Sequence, residues 1–341
     1  MISLILVAAL AAGFYVGWNI GSNDAANAMG TAVGGRVLTY RRAIVIMILF
    51  VILGAVLEGS KVMETVGEGI VLPPASVEYE NPLTKVPVFA VIALVSAGLW
   101  VTIATTLRLP VSTSQSIVGA VMGAGILISF FEPEGIGANV QFGKLGSIGL
   151  CWILTPIGAA IFAFIIYKLL SPLLRRVKDV ATLNRIFGLL IIIAGAFTAY
   201  ALGANDVGNA TGMIYAVGGG GTSWSPQIIA LFGGVALAIG SLTYSWRVMQ
   251  TVGGGITRLD AVTACAAQLG AALTVWTFTQ FGIPVSTSQA IVGGVVGAGL
   301  VKGVAAVSKR RLGEIGVAWI LTPTAAASLT FLLGWLAIGV M

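Results

Sequence analysis

The chain has no histidine, two cysteines among 341 residues, and few charges. Without histidine there is no imidazole proton relay, no His-ligated metal and no triad built on a His base. Cys151 and Cys265 lie far apart in apolar surroundings and read as small buried hydrophobes, not as a disulfide or metal site. Charged residues make up 9% of the chain, against about 25% in a soluble domain. That is too few to wet a surface, so disorder, coiled coil and soluble enzyme are excluded. The solvent for most of the protein is lipid. Hydrophobic residues supply 57% of the chain and glycine 46 positions. In membrane helices such a glycine excess goes with closely packed backbones.

Apolar runs of spanning length begin near residues 2, 42, 87, 109, 146, 186, 227, 261, 284 and 314. The first is followed by a polar motif without a cleavage pattern, and so reads as a spanning helix. Charges between the runs sort by side. Arg36, Arg41 and Arg42 follow the first run; Lys168, Arg175, Arg176, Lys178 and Arg185 separate the fifth from the sixth; Lys302, Lys309, Arg310 and Arg311 precede the last. Residues 59–86 carry Glu64, Glu68, Glu78 and Glu80 against Lys61 and Lys85, and Glu132 and Glu134 mark a second acidic loop. The positive-inside rule puts the basic loops in the cytoplasm and, with ten crossings, both termini outside a cell membrane.

The chain is two copies of one unit. G-S-N-D-A-A-N-A-M-G at residues 21–30 recurs as G-A-N-D-V-G-N-A-T-G at 203–212. K-V-M-E-T-V-G-E-G-I from Lys61 recurs as R-V-M-Q-T-V-G-G-G-I from Arg247. L-P-V-S-T-S-Q from Leu109 recurs as I-P-V-S-T-S-Q from Ile283, and W-I-L-T-P from Trp152 recurs from Trp319. Four ordered blocks exclude chance. Five crossings per copy invert the second copy relative to the first, an arrangement of many secondary transporters. The expected fold is an all-α integral membrane protein with two inverted-topology repeats. It has about 10–12 transmembrane helices, re-entrant or broken ones among them. Residues 1–167 form the first repeat, 168–185 a basic cytoplasmic linker and 186–341 the second.

A charge inside the membrane costs at least about 2.5–3.5 kcal/mol on insertion scales. Asp24 and Asp206 are such charges, at matching positions. Asn23 and Asn27 flank the first, and Asn205 and Asn209 the second. At 100° per residue the three side chains of each motif fall within about 100° of arc. Carboxylate and amide oxygens then converge, a hard-oxygen set suited to Na⁺. A cap at a helix break would use a neutral Asn more cheaply than a charge buried twice. In the P-V-S-T-S-Q elements Pro110 and Pro284 suit a first helical turn. Ser112, Thr113, Ser114 and Gln115, with Ser286, Thr287, Ser288 and Gln289, then add hydroxyls and amides to free backbone N–H groups. The result is an anion site without a cationic side chain. Gly119 with Gly123 and Gly293 with Gly297 have the spacing of helix–helix contacts. Residues 218–221 read as an outer loop or hinge, and Arg108, opposite Gly282 in the second copy, as a topology charge. Glu58, Glu64 and Glu68 lie toward the outer edge, where Gln250 and Gly254 replace the latter two. Glu58 is a weak candidate for a gate or ion relay.

The doubled G-x-N-D-x-x-N-A motif, each followed by P-V-S-T-S-Q, resembles the inorganic phosphate transporter family of the PiT type. The likeness runs through both halves. It implies an inverted-repeat secondary transporter and not an enzyme, one that imports orthophosphate by symport with Na⁺ or H⁺ and often assembles as a homodimer. Its partners are phosphate, sodium ions and the lipid bilayer, without nucleic acid or organic cofactor. Carried onto this chain, the resemblance assigns phosphate to Thr113, Ser114, Gln115, Thr287, Ser288 and Gln289 with Asn27 and Asn209. Sodium falls to Asn23, Asp24, Asn205 and Asp206 with Ser112 and Ser286. Gly208 stands where the signature has Ala, and the long hydrophilic loop of eukaryotic members is missing. Phosphate beside two buried carboxylates demands cations, which leads to Na⁺-coupled symport with alternating access at a midplane site. Proton coupling or another tetrahedral oxyanion (sulfate, arsenate) fits the same residues. An anion channel lacks its ring of Arg or Lys within the spans.

Overall fold

In hydrocarbon every backbone N–H and C=O needs a partner within the chain, so long apolar runs become helices. The computed structural model describes residues 4–34, 37–71, 86–107, 111–130, 140–217, 224–252, 260–301 and 309–340. Among the described residues there are eleven helices and no sheet, only an isolated bridge between Val71 and Val140. The helices are α1 (Leu4–Gly34), α2 (Tyr40–Glu58), α3 (Ser60–Glu68), α4 (Val86–Thr106), α5 (Thr113–Phe130), α6 (Phe142–Leu174), α7 (Val180–Val217), α8 (Pro226–Val252), α9 (Ala261–Gln280), α10 (Thr287–Leu300) and α11 (Lys309–Val340). Nine hold a stretch long and apolar enough to cross a bilayer. The chain is therefore a multi-pass membrane protein.

Each of the ten expected runs opens a helix, and three details differ from expectation. First, α10 has 14 residues, about 21 Å of rise, short of a ~30 Å hydrocarbon layer. Second, broken helices are among those expected, yet α1 and α7, which carry the two N-D motifs, run through them without a break. Third, the basic linker is mostly helical: α6 runs to Leu174 and α7 starts at Val180. Asp179 accepts a hydrogen bond from the Thr182 N–H at 2.8 Å and caps α7. A bond from the Thr182 hydroxyl, with that N–H bond beside it, holds the Asp179 carboxyl below its usual range. Residues Arg36, Glu78, Glu80, Lys85, Arg108, Leu109, Pro110, Glu132, Glu134, Gly254 and Lys302, and residues 218–221, lie outside the described residues.

The two halves are interleaved. Helix α5 packs on α11 and α10 on α6, each hairpin helix meeting the last helix of the other half. Gly119 and Gly123 lie against the backbone of Pro323 and Ala327; Gly293 and Gly297 lie against that of Pro156 and Ala160. A methyl at any of the four would collide with backbone. The small-residue spacing and the W-I-L-T-P block are thus two sides of one contact, made twice across the halves. Likewise Gly21 lies on Leu237 of α8 and Gly203 on Val51 of α2. Gly13 sits against Ala210 and Ile214, while Gly195 sits against Ala28 and Met29, so α1 and α7 run antiparallel. Leu150, Ile153, Ile157 and Ile161 on α6 form an exposed apolar face that suits lipid.

Candidate functional site

The α4–α5 and α9–α10 hairpins carry their tips to the middle of α1 and α7. Asp24 lies 10 residues before the end of α1 and Asp206 11 before the end of α7. Because the two helices are antiparallel, the pair sits deep within the bundle. Both carboxylates are 0% exposed. Neither meets a cationic side chain among the described residues.

Their partners cross between the halves. Asp24 accepts from Thr113 of its own half at 3.2 Å and from Ser288 of the other half at 3.1 Å. Asp206 accepts from Thr287 of its own half and from Ser114 of the other, both at 3.3 Å, and the Ser114 hydroxyl also has the Val285 carbonyl as a closer acceptor at 2.8 Å. Asn27 donates to Asp24 at 2.9 Å and to the Ser288 hydroxyl at 3.2 Å. Asn209 donates to Asp206 at 3.0 Å and to the Ser114 hydroxyl at 2.8 Å. The helix starts that supply these hydroxyls are stabilised as the sequence anticipates. The Ser112 and Ser286 hydroxyls each accept the N–H of the residue three further on, Gln115 or Gln289, at 3.2 Å. That bond is an N-cap, so these two serines spend an acceptor on the helix.

Asn23 and Asn205 turn elsewhere. Asn23 donates to Thr105 at 3.1 Å and Asn205 to Thr279 at 3.0 Å, at the C-terminal ends of α4 and α9. Asn205 also donates to the Ile283 carbonyl and accepts from the Val285 N–H at 3.3 Å. In this structure they fasten the hairpins to α1 and α7, and only the second asparagine of each motif joins its carboxylate. Thr105 and Thr279 were not singled out from sequence. Their signal was available: each precedes its P-V-S-T-S-Q proline by five residues in both copies.

Three buried amide oxygens at the site, those of Gln115, Gln289 and Asn209, have no hydrogen-bond partner. Free acceptors in a dry interior are costly unless a donor or a cation arrives. The site therefore offers two carboxylates and spare amide oxygens for hard cations. Its four hydroxyls and two helix N-termini suit an anion.

A second network, off the central site, tethers α9. The Glu58 carboxylate accepts from the Tyr200 hydroxyl at 2.7 Å, from the Trp276 indole at 3.4 Å and from the Gln280 amide. Lys61 donates to the Gln280 amide oxygen at 2.7 Å. Sequence reasoning placed Glu58 at the outer edge without finding these partners.

Comparison with known proteins agrees with this layout. A sequence model of the phosphate transporter family matches twice, over residues 20–184 and 174–330, once for each half. A protein of Thermococcus kodakarensis named "Putative phosphate permease" is 32% identical, over 96% of both chains. One of the same name from Pyrococcus furiosus is 31% identical over 94% of this chain and 93% of its own. A solved structure named "The sodium-dependent phosphate transporter" superposes with a TM-score of 0.87 at 27% identity, covering 99% of this chain and 100% of the other. These relatives are named as permeases and transporters, not enzymes. The doubled motif, the interleaved halves and the family match lead to one assignment: the chain belongs to the phosphate transporter family.

Proposed function

We propose that the chain imports inorganic phosphate by symport with sodium ions, using alternating access around the Asp24–Asp206 site. The observation that carries this reading is the crossed hydroxyl pairing. Thr113, Thr287 and Ser288 donate to carboxylates, and the Ser114 hydroxyl is shared between Asp206 and the Val285 carbonyl. Phosphate needs those same donors. Sodium bound at Asp24 and Asp206 takes over the carboxylate oxygens and releases the four hydroxyls to turn toward an anion at the N-termini of α5 and α10. Neutralisation works in the same direction, because phosphate beside two bare carboxylates is prohibitive in a low dielectric. Sodium and phosphate then bind as one cooperative load. Asn27, Asn209, Gln115 and Gln289 complete the anion's surroundings or lend amide oxygens to the cations. Asn23, Asn205, Ser112 and Ser286 support the sodium positions. The name borne by the structural neighbour points the same way.

The proposed topology follows from the hairpins. With their tips at the midplane, α4–α5 and α9–α10 enter and leave on one side each. The crossings are then α1, α2, α6, α7, α8 and α11, three per half, which inverts the repeats. Basic segments fall in the cytoplasm and both termini outside, as the charge pattern requires. The resemblance adds a homodimer in the cell membrane.

The test is flux. Protein reconstituted in liposomes should accumulate labelled phosphate when an inward Na⁺ gradient is imposed, and lose it when a sodium ionophore collapses that gradient. Equal uptake with choline in place of sodium would overturn the coupling. Stronger competition by sulfate than by unlabelled phosphate would overturn the substrate.

A further inference from the structure

Helices α6 and α9 part along their lipid-facing side and leave an open groove of about 260 Å³, far more than the ~30 Å³ share of one water. Leu154, Ile157, Ile161 and Phe162 of α6 and Thr277 and Phe278 of α9 are among its walls. The four α6 residues are 37–54% exposed, so the groove opens to the membrane. Its two threonines make no demand on a guest. Thr274 donates to the Gly270 carbonyl at 2.8 Å and Thr277 to the Leu273 carbonyl at 2.7 Å, both within α9. The groove is a slot for hydrocarbon. The same face of α6 ends in cations. Seven residues bring a helix nearly back to one bearing, so Leu154, Ile161, Lys168 and Arg175 form a column with steps of about 10 Å. The Lys168 ammonium lies over the Phe164 ring, 5.6 Å from its centroid. Lys168, Arg175 and Arg176 are exposed, and none forms an ion pair among the described residues. Two carboxylates at this end, Asp179 and Asp260, are taken up by capping α7 and α9. The first half differs at the matching places. Counted from the shared motif blocks, Trp100 stands there for Thr274 and Trp335 for Lys168.

We infer that the α6–α9 groove binds an anionic phospholipid, with an acyl chain in the slot and the headgroup phosphate at Lys168, Arg175 and Arg176 lying beyond. A free anion would use the cations and leave the slot empty. A phospholipid uses both, because Lys168 stands one column step, about 10 Å, from Ile161 in the slot. Ordinary boundary lipid has no reason to prefer a headgroup, and unpaired cations at the end of the slot supply one. A second copy of the chain suits this face poorly. An isologous contact about an axis along the membrane normal would set the column against itself, Lys168 meeting Lys168 and Arg175 meeting Arg175. The α9 wall of the slot runs to Phe278, beside the Thr279 that holds Asn205. A lipid seated there braces the hairpin that serves the central site.

The experiment titrates purified protein in mild detergent with phosphatidylglycerol or with phosphatidylcholine of the same chains, and counts bound lipid by native mass spectrometry. One phosphatidylglycerol per chain should be retained under conditions that strip phosphatidylcholine. Lys168→Gln should weaken phosphatidylglycerol binding about fivefold, the worth of one cation at an anionic surface, and leave phosphatidylcholine unchanged. Ile161→Trp, which fills the slot, should weaken both lipids. If that variant folds poorly, Lys168→Gln at an exposed position still decides. Equal retention of the two lipids by wild type, or no effect of Lys168→Gln, would reduce the groove to boundary lipid and overturn the inference. Displacement of phosphatidylglycerol by equimolar inorganic phosphate would overturn it too, by making this a site for a free anion. A last arm tests the second copy: Ile161→Cys in a Cys151→Ala, Cys265→Ala background, oxidised in phosphatidylglycerol vesicles, should not cross-link. A disulfide-linked dimer would seat another chain on the groove and exclude the lipid.

Discussion

Around Asp206 the partners Asn209 and Ser114 are fully buried, whereas around Asp24 the matching Asn27 and Ser288 keep partial exposure. The donors to the two carboxylates correspond one to one, but Asn209 lies closer to Ser114, at 2.8 Å, than Asn27 to Ser288, at 3.2 Å, and the surroundings differ more. The first half ties α4 to α1 through neutral groups, Tyr15, Asn19 and Thr102. The second half ties α9 to α2 and α7 through the Glu58 carboxylate with Tyr200, Trp276 and Gln280. Duplication kept the two carboxylate clusters matched while the fastening of the two hairpins diverged.

The largest effect is expected at the symmetric part. Asp24→Asn and Asp206→Asn each remove a charge while keeping shape. Each should lower Na⁺-driven uptake by roughly two orders of magnitude, the scale of losing one member of a buried charged pair. Retained uptake with unchanged Na⁺ dependence in either variant would take that aspartate out of the mechanism. A wide gap between the two variants would break the symmetry argument itself.

Next come the contacts that interleave the halves. Gly119→Val and Gly293→Val push side chains into the backbones of Pro323 and Pro156. Overpacking of this kind costs about 1–3 kcal/mol, so both should lower the thermal unfolding midpoint in detergent by similar amounts. A drop in only one would show that the matched contacts carry unequal load. Smaller effects belong to the crossed hydroxyls. Ser114→Ala and Ser288→Ala should each raise the phosphate concentration for half-maximal uptake several-fold, about one neutral hydrogen bond apiece, and the double variant more. A purely additive double variant would argue against a shared anion.

The smallest expected effect sharpens the contrast between the two tethers. Glu58→Gln leaves a neutral amide facing three donors, while Thr102→Val removes a neutral link. Uptake should fall a few-fold in the first, less in the second, and phosphate affinity should hold in both. Equal effects would mean that the carboxylate adds nothing to the tether.

Much of this was legible from the chain alone because duplication marks chemistry. The N-D and S-T-S-Q blocks recur in register, and the structure brings Asp24, Asn27, Thr113 and Ser288 together, with Asp206, Asn209, Thr287 and Ser114 as their counterpart. The glycine pairs were readable as packing, though not the helices they meet, since spacing carries no information about which half supplies the partner. Thr105 and Thr279, which hold the amide nitrogens of Asn23 and Asn205, escaped notice because their partners lie on another helix and spacing along one helix does not reveal them. The linker read as a loop because charge density resembles a loop, yet a helix running past the bilayer carries Lys168 and Arg185 in water without penalty. Glu58 stood out in the sequence, but its partners Tyr200, Trp276 and Gln280 did not, because they come from other helices.

The central claim is that sodium frees the crossed hydroxyls for phosphate, and equilibrium binding tests it most directly. Calorimetric titration of purified protein with phosphate should show affinity rising steeply as Na⁺ replaces choline at constant ionic strength. The dependence should vanish in the Asp24→Asn, Asp206→Asn double variant. Phosphate binding equally well in choline, with both aspartates intact, would contradict the account.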